Sequence, residues 1–357
     1  MPKETMTPRE RWLAVLTRQQ PDRTPMDYWT TPEADCRLKR HLGVSTDREL
    51  YERLHIDRPI GAGPRYVGPP LSADEDIFGV RYRDVSYGLG SYREAVTHPL
   101  ARYASVAEIE ADYAWPSPDW WAYDRIADET AYWSHHPIAG GGSEPFLTYK
   151  NLRGDEQAFV DLVMHPDIVH YCLDRLFDLA FVNTVRILEA IPGQVTYCYV
   201  AEDMGSQTGL LFSPRHIHMF LIPRMKRMID LAHSAGAYVF YHSDGAVRAI
   251  LPDMIAAGID ILNPIQWRCA GMERGALKRD FGQQVVMHGG VDNQHTLAFG
   301  SVAEVRAEVI ENLTTLGAGG GYILAPCHNI QSVSPPENIV ALYETGYHEG
   351  WSPSGGG

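Results

Sequence analysis

His242 and Asp244, in "FYHSDG", stand two residues apart directly after the apolar stretch "AYVF". Glu202 and Asp203 follow "VTYCYVA", and Cys327, His328 and Asn329 follow "YILAP". Asn263 and Gln266 follow "DIL", and His288 and Asp292 follow "VVM". Imidazole with thiolate is a zinc-type donor pair, and carboxylates complete such a site with oxygen. His242 and Cys327 are too far apart for finger-type spacing, so they meet only if the fold gathers strand ends. His242 and Cys327 are therefore the candidate metal pair, with Glu202, Asp203 or Asp244 as oxygen donors. A fourth position left open would make such a site catalytic. Asp203, His288, Asp292 and His328 are the candidates for acid, base or orienting roles. Asn263 and Gln266 are candidates to hydrogen-bond a substrate, and Tyr149, after "PFLT", to reach the same place. Each has a plainer alternative: a buried core thiol for Cys327, a hydrogen-bonded barrel residue for His242, packing or helix capping for the others. Tyr241 alternates with His242 and is expected to face helices.

Positioning such residues requires many strands ending on one side. From residue 137 onward, "PIAGG", "VTYCYVA", "AYVFYH", "DILNPI", "QVVMHGG" and "GYILAP" mostly alternate with helical patterns, the rhythm of βα units and a parallel sheet. Thr7-Pro8 with Glu10, Ser213-Pro214, Ser301 with Glu304 and Ser334 with Glu337 read as helix starts. Gly236 reads as a helix stop, and Pro223 is expected to kink or divide its helix. "PMDYW" (25–29) and "DRPIGAGP" (57–64) are further strand candidates. Between about 65 and 136, "DIFGVRYRDVSYGLGSYREAV" reads as a hairpin and "YAWPSPDWW" as a rigid aromatic loop. The fold expected is α/β, a (β/α)8 TIM barrel spanning 1–350 as one domain. It would carry an N-terminal helical segment, a lid-like insertion at 65–136 and a flexible tail at 351–357. The strand C-termini of such a barrel converge on one face, where active sites sit.

The chain has 357 residues and a formal net charge of −14, which argues against nucleic-acid binding by charge. "MPKETMTPRERW" lacks the apolar core of a secretion signal, and no apolar run approaches the ~20 residues of a membrane span. The expectation is a cytoplasmic protein handling a small molecule or another protein. Five scattered cysteines, Cys36, Cys172, Cys198, Cys269 and Cys327, make a poor disulfide framework and fit a reducing compartment.

Nearly the whole chain resembles the uroporphyrinogen decarboxylase superfamily, and within it the zinc-dependent, corrinoid-linked methyltransferase branch. The resemblance rests on "MTPRERWLAVLTRQQPDRTP", "LHIDRPI", "DIFGVRY", "LRGDEQAFVDLVMHPDIV" and "AEDMGSQTGLLFSP". More specific are "HSDGAVRAILPDMIAAGIDILNPIQ", "GGVDNQHTLAFGSVAEVRAEV" and "GGGYILAPCHNIQSVSPPENIVAL". It implies a (β/α)8 barrel. The branch carries a His-x-Cys pair and a later Cys; His242 and Cys327 match, while Asp244 stands where the other cysteine would be. The resemblance thus implies one Zn2+ site at His242 and Cys327, with Asp244 or Glu202 completing it. It implies methyl transfer between a small methoxy- or methylamine-type substrate, or an acceptor, and a corrinoid on a separate partner protein, since the chain has no D-x-H-x-x-G corrinoid motif. "TPMDYWTTPEADCRLKR" lacks the arginine-rich grip on porphyrin carboxylates expected of true decarboxylases. The alternative is a metal-independent decarboxylase or lyase on a small organic acid, and the third a barrel that binds without chemistry. A homodimer is left open.

Overall fold

The computed structural model describes residues 3–86, 88 and 90–352. Its centre is a curled, parallel, seven-stranded sheet, with each strand beside its successor in the chain. The strands are β1 (Ile60–Ala62), β2 (Ile138–Ser143), β3 (Tyr197–Ala201), β4 (Tyr238–His242), β5 (Ile261–Asn263), β6 (Val286–Val291) and β7 (Tyr322–Pro326). Helices pack around the outside, among them Pro166–Ala190, Ile222–Ser234 and Val302–Thr315. This is a TIM-barrel-like α/β arrangement.

The segment 25–30 runs alongside β7. Asp27 N–H donates to Leu324 O, Leu324 N–H to Pro25 O and Ile330 N–H to Trp29 O. On its other side, Asp57 N–H, just ahead of β1, donates to Met26 O. "PMDYW" and "DRPI" thus supply backbone to the two edges of the sheet, although only the second forms a named strand, β1.

Alternation along the strands sorts the side chains onto two sides. Tyr197, Phe240, Ile261, Val286 and Ile323 form one buried cluster inside the curl with Trp12, Val15 and Leu16 of the N-terminal helix Pro8–Leu16. Cys198, Val239, Tyr241, Leu262, Met287 and Leu324 join the larger core beneath the helices. Tyr241 therefore faces outward as its parity requires. Inside the curl, the position two residues beyond Phe240, Ile261 and Val286 is polar in each case: His242, Asn263 and His288.

Local signals account for most helix ends. Thr7 with Glu10 and Ser301 with Glu304 form reciprocal capping boxes, and Ser213 caps at Pro214. Gly236 follows the helix ending at Ser234 with φ +76°. Pro223 is accommodated by a π-helical stretch, Ile217–Leu221, directly before it. Ser334 does not cap. Pro335 and Pro336 set the start of Pro336–Glu349, so Ser334 falls one residue too early and its hydroxyl is buried without a hydrogen-bond partner.

In the 65–136 region, Tyr82–Ser86 pairs antiparallel with Ser91–Ala95, and Arg65–Tyr66 with Trp121–Ala122. Ile77, Phe78 and Trp121 help line a cavity of about 170 Å³ that also contains Glu144. Of the tail expected at 351–357, Trp351 bridges to Arg23 and Ser352 N–H donates to Asp22 O, so these two are held; residues 353–357 lie outside the described residues.

One buried ion cluster joins the N-terminal helix to the sheet edge. Asp57 is fully buried and accepts from Arg11 at 2.5 Å, Arg23 at 2.7 Å and Met26 N–H at 2.9 Å. Removing the carboxylate takes the buried acid partner from two buried guanidiniums, leaving Arg11 to Asp22 and Arg23 to Glu4. Asp57→Ala is expected to cost about 3–5 kcal/mol in urea unfolding; a loss below about 1 kcal/mol would show that the cluster does not anchor the sheet edge.

Candidate active site at the strand ends

His242 closes β4 and is about 6 % exposed. Its Nε2 lies 3.7 Å from Asp203 Oδ1 and 4.0 Å from Asp244 Oδ1. One donor atom each from Asp203, His242 and Asp244 falls within 4.8 Å of the others, the sole such group of metal-binding types among the described residues. Two glycines make this possible. The loops after β3 and β4 touch at Gly205 and Gly245: a Cβ on Gly205 would lie 2.5 Å from Asp244 O, and Gly245 has φ +85°. That contact lets Asp244 N–H donate to Asp203 Oδ1 at 3.0 Å. Gln266 braces the far side, accepting from Gly245 N–H at 2.6 Å and donating to Asp244 Oδ1 at 2.9 Å. His328 Nε2 stands 3.7 Å from Asp244 Oδ2.

The site gathers negative charge. Burial raises the Asp244 carboxyl above its ordinary range and Asp203 adds to this, against the lowering effects of His242 and His328. Glu144, which the strand signals missed, belongs to the same group. Burial first, then Asp203 and Asp244, push its carboxyl up to about 7. Glu144 comes directly after the glycine run of β2, where the register shifts between Ala139 and Gly142. Gly142 has φ +128° and lies so close to Tyr199 O that no side chain fits. Such a bulge bends the strand and re-aims the residues beyond it. Polarity after "GGGS" was the available signal for Glu144.

Several expected residues are placed elsewhere. Cys327 is buried, its Sγ 3.1 Å from Ile265 O, and it does not join the Asp203–His242–Asp244 group. Burial drives its thiol far above the ordinary range, and Asp292 and Glu308 add to this. Glu202 is buried as well and accepts from Phe146 N–H at 3.0 Å; burial raises its carboxyl well above normal, and Glu144 and Asp203 reinforce this. The adjacent acid Asp203, expected as an oxygen donor or proton-transfer residue, is the one that lies beside His242. Alternation separates Asp203 from Glu202, since consecutive residues leave a strand in opposite directions.

His288 and Asn263 lie below the mouth. His242 Nδ1 is 2.5 Å from Asn263 Oδ1, Asn263 Nδ2 is 2.7 Å from His288 Nδ1, and His288 Nε2 is 2.9 Å from Asp27 Oδ2. Asn263 is about 1 % exposed and His288 fully buried, so neither reaches open space at the mouth. Asp27 and Trp29, within "PMDYW", complete this row; Trp29 stacks on His242 with ring centroids 5.7 Å apart. Asp292 is engaged by Arg268, Gln294 N–H and Thr296 N–H; burial would raise its carboxyl, but these partners hold it below normal. Tyr149 is buried under the helices and donates to Asp161. A cleft of about 390 Å³ opens beside Asp244 and His328, lined also by Gln266, Asn293, Gln294 and Phe299, with no lysine or arginine among the described residues of its wall.

A parallel α/β sheet of TIM-barrel type, with acids and imidazoles at its strand C-termini, has the layout of a small-molecule site. Residues 126–348 match the family model for uroporphyrinogen decarboxylase (URO-D), and the chain belongs to that family. It is 27 % identical over 212 residues to a uroporphyrinogen decarboxylase of Neisseria meningitidis, 58 % of this chain and 53 % of that one. The chain thus spans about half the length of that relative. It is 22 % identical over 370 residues to the uroporphyrinogen decarboxylase of Aeromonas salmonicida, covering 95 % of this chain and 96 % of that one. The fold is similar to that of a methyltransferase from Methanosarcina mazei, with a TM-score of 0.69 at 19 % identity over 96 % of this chain and 99 % of that one.

A carboxyl held at about 7 instead of 4.5 binds its proton more tightly in the folded chain than in the unfolded one. Its contribution to stability is full below pH 4.5 and is lost as the pH rises through 7. At 1.36 kcal/mol per unit, the loss is about 3 kcal/mol. Glu144→Gln is expected to lose correspondingly less stability than the parent between about pH 5 and about pH 8, read by chemical unfolding of the metal-free protein. Equal losses in both would remove Glu144 from the acid group.

Proposed function

We propose that the protein is a methyltransferase that holds one zinc ion at the mouth of the sheet on His242, Asp203 and Asp244. The observation that carries this reading is the convergence of these three donors within 4.8 Å. The donor set fits: one imidazole and two carboxylates are accepted zinc ligands, and three protein ligands leave a fourth position for substrate. Cys327, with its thiol buried against Ile265 O, stays outside the set.

Zinc bound there supplies Lewis acidity toward a methoxy or methylamine group, or toward an activated acceptor. Around it, Gln266 fixes the orientation of Asp244, and Trp29 and Tyr199 flank the His242 ring with centroids 5.7 Å away. The methyl group would pass between such a substrate, whose oxygen or nitrogen would keep the bonding electron pair and take up a proton, and a corrinoid held by a partner protein docked at the mouth. The reading takes the sheet as a closed eight-stranded barrel, one domain with 65–136 as its lid, in which residues 25–30 supply the remaining strand. All five cysteines are free, which supports a reducing, cytoplasmic setting, and no helix among the described residues is long and apolar enough to cross a membrane.

A second reading, a metal-independent decarboxylase acting on a small organic acid, draws support from Glu144, whose carboxyl near 7 suits proton delivery at neutral pH. The absence of lysine and arginine among the described residues of the cleft beside Asp244 favours methyl transfer over a polycarboxylate substrate.

Zinc titrated into metal-free protein is expected to bind at one equivalent. His242→Ala and Asp244→Ala should each weaken it by at least ~10–100-fold, while Cys327→Ala leaves it unchanged. Supplied with a corrinoid protein and a panel of methyl donors, the zinc-loaded chain should transfer methyl groups and the metal-free chain should not. A fully active metal-free chain, or zinc that tracks Cys327, overturns the reading.

A further inference from the structure

The row beneath His242 has a direction, and one residue sets it. Asp27 Oδ1 accepts from Tyr28 N–H at 2.7 Å, and Oδ2 accepts from Trp29 Nε1–H at 2.8 Å; both partners can only donate. His288 Nε2 is 2.9 Å from the same Oδ2. A carboxylate has no hydrogen to offer, so His288 must donate through Nε2. In a neutral ring its Nδ1 is then bare and needs a donor. That donor is the Asn263 amide nitrogen at 2.7 Å. The amide therefore turns its oxygen toward His242 Nδ1, 2.5 Å away, and this nitrogen must carry the hydrogen. In a neutral His242 ring one nitrogen then remains: Nε2, bare and facing Asp203 and Asp244.

We propose that Asp27 is a positioning residue for the mouth: through His288 and Asn263 it keeps the ring hydrogen of His242 on Nδ1 and leaves Nε2 as a free electron-pair donor. The use made of that electron pair rests on the zinc reading above; the hydrogen positions do not.

Burial and register both support the relay. Asp27 and His288 are fully buried and Asn263 is about 1 % exposed, so water does not replace a member. His242 and Asn263 are cross-strand partners, and the pairing of Leu262 with Met287 brings Asn263 beside His288. The row is thus one inward-facing layer across three neighbouring strands. Asp27 also acts by a second route, because Trp29, whose indole it holds, stacks on the His242 ring at 5.7 Å and 23°.

The test is long-range 1H–15N correlation on metal-free protein labelled in its histidines, with His242→Gln and His288→Gln to assign the signals. The expected result is the Nδ1–H form for His242 and the Nε2–H form for His288. His242 in the Nε2–H form, or His288 in the Nδ1–H form, overturns the proposal. Asp27→Leu should mix the His242 forms and weaken zinc binding ~10–100-fold, the range for outer partners of a metal-ligating histidine. Asn263→Leu cuts the relay without touching Asp27, so it decides the matter if Asp27→Leu does not fold. Unchanged His242 nitrogen shifts in the folded variants overturn the proposal. Wild-type protein with the expected hydrogen positions but no zinc affinity would sink the zinc reading and leave the relay standing.

Discussion

Carboxylates crowded at the end of a parallel sheet cannot all remain ionised without a counter-charge. Glu144, Glu202, Asp203 and Asp244 meet under this constraint. Three of them are raised, with burial the first cause and a neighbouring carboxylate among the others. Lys150 lowers Glu144 and Glu202, while His242 and His328 lower Asp244. None of these neighbours cancels the burial. Such a cluster is stabilised by protons, by a bound cation or by a cationic substrate. The chemistry open to the site depends on which of these occupies it.

The fold tolerates the crowding because three separate devices hold the four acids. A bulge at Gly142 precedes Glu144, a backbone N–H from Phe146 holds Glu202, and the Gly205–Gly245 contact sets Asp203 beside Asp244. At the other end, Trp12, Val15 and Leu16 fill the inside of the curl with apolar side chains. The interior is therefore graded: an apolar floor, a polar layer of His242, Asn263 and His288, then the acids. Two-residue periodicity makes that gradient, since each polar member stands two residues past an apolar one.

Much of this was legible from pattern alone. Six consecutive strands and most helix starts arise from alternation and capping chemistry, and the parity rule placed Tyr241 outward. The illegible part depends on rotation about strand ends and on partners distant in sequence. Glu202 and Asp203 are equivalent as letters, but only one faces His242. Cys327 comes directly after its strand and has the inward parity of His242, yet its sulfur turns to Ile265 O. Asn263 and His288 look like mouth residues from their position after apolar runs; the register sets them level with His242, and burial closes them off from open space. Asp27 contributes through a hydrogen bond to a residue 261 positions away, which no local spacing encodes.

The aspartate of "FYHSDG" sharpens the chemistry under the zinc reading. Two carboxylates and two thiolates bring the same formal charge to a dication, but carboxylate oxygen is the harder and less electron-releasing donor. A cation held by His242, Asp203 and Asp244 keeps more of its acidity for the fourth ligand. That acidity is useful where an oxygen or nitrogen must accept negative charge as a methyl group departs, and superfluous where a thiol need only be ionised. The surrounding contacts point the same way. Gln266 donates to Asp244 and the Asp244 N–H donates to Asp203, and each such bond draws electron density from the carboxylate before it reaches a metal. His242 would be supported in the opposite sense, by the proposed Nδ1–H bond to the Asn263 oxygen. The imidazole is therefore the strong donor of the set, and the hydrogen-bonded row beneath it is what makes it so.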